Sequence, residues 1–129
     1  MTVRLQEYAT LDALPSAAEP LLAGAPHLFS SRAWWRTVLA CGLPPAAQPG
    51  FLLASMDAAA VALIPLRRDG PGDALSGLTT PYTCRYEPLL APGLAPAAQV
   101  DVFTALGRFC RGHGTTPFDS LAQDWPALP

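Results

Sequence analysis

A mixed, largely antiparallel α/β sheet with helices on both faces is the fold class this sequence predicts, and three observations predict it. The segment FLLASMDAAAVALIPLRRDG contains two arms that are apolar at nearly every position instead of alternating, the pattern of strands covered on both faces. Strand-like segments cluster in the middle of the chain, and helical segments lie before and after them, so helices can supply that cover. A chain of 129 residues, half of them apolar, can bury about two-thirds of the surface its unfolded form exposes, enough for a single core without disulfides or metal.

The elements follow in order. Val3 to Tyr8 reads as a short strand with Val3, Leu5 and Glu7 on one face. Ser16 to Ala23 is a short helix, bounded by Pro15 and Pro20. FSSRAWWRTVLACGLP is a stronger one: Ser30 is placed to cap it, Phe29 and Trp34 occupy the positions of a hydrophobic staple, and Gly42 with Pro44 forms the stop. Its buried stripe is Trp35, Val38 and Leu39. A hairpin follows, Phe51 to Met56 and Ala60 to Leu66 around a turn near Asp57, with Arg67, Arg68 and Asp69 marking the return to water. Pro65 lacks a donor and implies an edge, a bulge or a splay at that point. Leu75 to Thr80 and Tyr86 to Leu90 are two further short strands. From Pro96 to Arg111, Val102, Phe103, Leu106, Phe109 and Cys110 fall at helical spacing, Asp101 lies near the positive end of the helix, and Arg108 and Arg111 lie near the negative end. Gly112 and Gly114 end that helix, and Phe118 to Leu121 reads as a last strand.

Composition narrows the function classes. A net charge of −2 with scattered arginines and no lysine argues against nucleic acid or an anionic membrane as the partner. The longest apolar run, Ala58 to Leu66, is about half a membrane span. Cys41, Cys84 and Cys110 are odd in number and irregularly spaced, which suits buried, reduced thiols better than a disulfide framework. No basic region followed by an apolar stretch opens the chain, and the expected setting is cytoplasmic.

Few residues carry chemistry. His27 and His113 do not make a metal ligand set, and Cys110 with His113 lacks a third orienting group. RFCRGHG superficially resembles the Arg-x-x-Gly-x-Gly loop of acetyl-CoA-binding acetyltransferases. Its spacing is one residue too long, however, and its glycines follow a helix, whereas a pyrophosphate loop must precede one. DGPGDALSG is a loop without a strand-to-helix transition. The densest polar stretch is SGLTTPYTCRYEPLLAPG, where Thr79, Thr80, Tyr82, Thr83, Arg85, Tyr86 and Glu87 gather hydroxyls, a guanidinium and a carboxylate just beyond a strand. Such a rim suits recognition of a hydroxyl- or carboxylate-bearing substrate, and Thr79, Thr80, Tyr82, Arg85 and Tyr86 are the candidate substrate-binding residues. The competing reading is an ordered turn whose hydroxyls satisfy local backbone groups. Tyr82 and Tyr86 are both candidates for a general acid, and neither has a located acceptor.

Taken together, FSSRAWWRTVLACGLP, FLLASMDAAAVALIPLRRD, LSGLTTPYTCRYEPLLAPG and FDSLAQDWPAL resemble the N-terminal half of GNAT-like acyltransferases associated with cellulose and exopolysaccharide biosynthesis, relatives of the FemAB peptidyltransferases. The likeness runs from about residue 25 onward and is carried by Phe29, Trp34 and Trp35, by 63–68, by 78–86 and by 118–125. It implies two GNAT-like halves and transfer of an acyl group from a thioester donor to an amine or hydroxyl. On that basis the 79–87 rim would help bind a small-molecule or saccharide acceptor. Acetyl-CoA or another acyl-CoA would be held by a C-terminal acyltransferase half, with no cofactor site in this chain. Consistent with this division, the last strand stops where a continuing α/β fold adds another helix. The second hypothesis is a non-catalytic GNAT-like interaction module that forms a homodimer through a sheet edge.

Overall fold

The computed structural model describes residues 2–44, 46–69, 75–78 and 88–111. They form an open sheet sandwiched between two helical layers. Five strands are seen: β1 (Val3–Tyr8), β2 (Ala47–Met56), β3 (Ala59–Asp69), β4 (Leu75–Gly77) and β5 (Leu89–Leu90). The helices are α1 (Glu19–Ala23), α2 (Arg32–Thr37) and α3 (Pro96–Arg111). The order across the sheet is β1-β2-β3-β4, β5 also pairs with β3, and every described pairing is antiparallel.

Two apolar clusters hold the sheet, one on each face, and this is why the central strands do not alternate. Phe51, Leu53, Leu63, Leu78 and Leu89 pack with Leu21, Leu22, Trp35 and Val38 on the α1/α2 side. Leu52, Ala54, Met56, Ile64 and Leu66 pack with Val102, Leu106 and Cys110 of α3 on the other. Adjacent residues of one strand point to opposite faces, so β2 and β3 must be apolar at both parities.

The β2–β3 hairpin closes on Asp57 and Ala58, both at positive φ (50° and 67°), the backbone of a two-residue type I′ turn. Two residues later the register slips: Ser55 pairs with Ala60 and Ala54 with Ala62, which leaves Val61 as the extra residue of a bulge. Val61 and Ala62 consequently both join the α3-side cluster, and the Val61 carbonyl accepts a hydrogen bond from the Ala91 amide at 2.8 Å.

β1 and α3 have the boundaries read from the sequence, and α1 is preceded by a 3₁₀ turn at Ser16–Ala18. Three expectations are corrected. Ser31, not Ser30, caps α2: its Oγ accepts from the Trp34 amide at 3.2 Å, whereas Ser30 ends a separate 3₁₀ turn, fully buried, and donates to the His27 carbonyl. The Phe29–Trp34 contact survives this shift, with ring centroids 4.9 Å apart and edge-to-face. Arg67 and Arg68 do not mark a return to water: both are half-buried, and β3 continues through Asp69 against Ala47–Pro49 of a β2 that begins four residues earlier than the apolar run. Cys41 is exposed, carried on the π-helical turn Val38–Gly42 that extends α2, and its thiol donates to the Thr37 carbonyl at 3.2 Å. The expected strand at Phe118–Leu121 lies outside the described residues.

Candidate functional site

The candidate substrate-binding residues Thr79, Thr80, Tyr82, Arg85 and Tyr86 lie outside the described residues, as do Cys84 and His113. The described residues on either side locate where this polar stretch leaves and rejoins the sheet. β4 pairs with Leu66–Arg68 and β5 with Ala62–Leu63, end to end along the same edge of β3. Leu78, fully buried, donates its amide to the Pro65 carbonyl at 3.1 Å, and Leu89 is opposite Leu63. Pro65 and Leu63 are two residues apart on one strand, about 7 Å. The stretch therefore starts and ends at neighbouring points in the middle of a sheet edge, both anchored by buried leucines on the α1/α2 face.

Pro65 explains why the edge strand breaks there. A close antiparallel pair exchanges two N–H···O bonds, and opposite Leu78 proline can return only an acceptor. The ladder loses a bond at that rung, the last one described between this segment and β3.

A second polar feature was missed by sequence reasoning. Glu7 of β1 and Arg68 of β3 form a bidentate ion pair across β2: Nη2 lies 2.7 Å from Oε1, and Nη1 also bonds Oε2. The two strands are separated by β2, so the side chains must pass over it, and they do so above Gly50, whose missing side chain leaves the path open. With both carboxylate oxygens held by the guanidinium, Glu7 acts as a strut and is not poised to take a proton from a substrate. Two signals pointed to it: a glutamate in register with Val3 and Leu5 on the inward face of β1, and a lone glycine at the head of the apolar β2 run.

Two open grooves are lined by described residues. One of about 280 Å³ runs between the start of β1 and α3, lined by Thr2, Val3, Asp101, Thr104, Ala105 and Arg108. Another of about 330 Å³ lies between the loop after β1 and α2 with its π turn, lined by Thr10, Leu11, Asp12, Arg36, Leu39 and Ala40. Its only charged groups, Asp12 and Arg36, face each other at 3.6 Å and are largely exposed. Cys110 packs into the α3-side cluster, and burial pushes its thiol up from the ordinary value. It stays protonated near neutral pH, the opposite of an activated nucleophile. Among the described residues no group of three or more His, Cys, Asp or Glu side chains could hold a metal ion. Nor, among them, is any helix long and apolar enough to cross a membrane.

No protein-family model matches the chain, and neither a curated protein nor a solved structure is significantly similar to it.

Proposed function

We propose that this chain is the acceptor-side portion of a GNAT-like acyltransferase, shaping the cleft for an amine- or hydroxyl-bearing acceptor such as a saccharide, while acyl-CoA is held by a C-terminal half. The observation that carries the reading is the interrupted edge of β3. A stretch rich in hydroxyls, with one guanidinium, is tied at both ends to the middle of a sheet covered on both faces, by Leu78 on Pro65 and Leu89 on Leu63. Specificity groups work best on such a support, because the sheet fixes where the loop begins and ends. The helix-covered antiparallel sheet agrees with the architecture the resemblance implies. In this reading Thr79, Thr80 and Tyr82 supply hydroxyl contacts, and Arg85 pairs with an anionic or hydroxyl group of the acceptor. Among the described residues β1 pairs with β2 alone, and that edge favours a second reading, a GNAT-like module that works by association alone.

The test is an amide-resolved NMR titration of the chain with a panel of amino sugars, uronic acids and simple amines. The proposal expects at least one acceptor to shift the Leu78 and Leu89 amides saturably, and Arg85→Ala to abolish the shift with the melting temperature nearly unchanged. Arg85→Ala lowering stability as much as binding would favour the ordered-turn reading of the stretch, and a panel that leaves both amides unmoved would count against the acceptor cleft.

A further inference from the structure

No further inference is drawn: the strongest candidate, the open groove of about 280 Å³ between the start of β1 and α3, offers only exposed, water-solvated polar groups, Thr2, Asp101, Thr104 and Arg108, and nothing in the structure shows what would occupy it.

Discussion

Gly50→Ala is the most informative single change, because its effect should depend on a residue in another strand. A Cβ on Gly50 would overlap Glu7 Oε2 and stand 3.2 Å from its Cδ and 3.4 Å from its Cγ. The carboxylate is the far end of a side chain and would ordinarily swing aside, but here Arg68 holds both of its oxygens. Moving it gives up charge-assisted hydrogen bonds worth about 1.5–3 kcal/mol each in a buried setting. The Arg68 and Glu7 side chains are 18% and 28% exposed, so solvent screening brings the loss down to roughly 1–3 kcal/mol for the pair. Alanine recovers about 0.5–1 kcal/mol by restricting the unfolded chain. The net is a destabilisation of ~1–2 kcal/mol, or ~3–8 °C in Tm for a domain of this size. Urea unfolding followed by the fluorescence of the three tryptophans measures it. In a Glu7→Ala background the obstacle is gone, and Gly50→Ala should become neutral or stabilise by up to about 1 kcal/mol. If Gly50→Ala costs the same with and without Glu7, the glycine is there for another reason and the strut argument fails.

Further outcomes follow from the same geometry. Ala58→Gly should stabilise the hairpin by about 0.5–1 kcal/mol, since Ala58 carries a side chain at φ 67°, where glycine pays no steric penalty; a loss of stability on urea unfolding would contradict the type I′ assignment. Ser31→Ala should cost about 1 kcal/mol through loss of the α2 cap, measured by the same unfolding assay, and no effect would return the cap to Ser30. Cys41 should react with iodoacetamide within minutes, whereas Cys110 should be protected until the chain unfolds, as peptide-resolved mass spectrometry can show. Because burial raises the folded-state pKa of Cys110, its contribution is fully present below the unfolded thiol value, about 8.5, and is lost as pH rises through the folded one. Stability of the parent chain should thus fall above that pH more steeply than that of Cys110→Ala, and parallel curves would show that the thiol is not linked to folding.

Much of the fold was legible because it is local. The turn-by-turn repeat of Val102, Leu106 and Cys110 determines the face that α3 buries, and the doubly apolar β2 and β3 announce cover on both sides. What the sequence hid depends on neighbours distant in the chain. Arg68 looks like a solvent signal until β1 brings Glu7 to it, 61 residues away. The sequence placed the α2 cap at Ser30, but the 3₁₀ turn Leu28–Ser30 takes that residue as its last, so α2 starts at Arg32 and Ser31 becomes its cap. The bulge at Val61 leaves no mark in an unbroken apolar run. For the candidate site, Pro65 was the informative residue: the missing donor it implies falls at the rung where the edge strand breaks. Which atoms of the 79–87 stretch would meet an acceptor was not legible, since hydroxyls that bind a ligand and hydroxyls that satisfy a turn have the same composition.

The division of labour between this chain and an acyl-CoA-binding half is the central claim, and calorimetric titration of the 129-residue chain with acetyl-CoA tests it most directly. The account predicts no saturable heat up to millimolar ligand. Stoichiometric binding at micromolar affinity would place the donor site within these residues and contradict it.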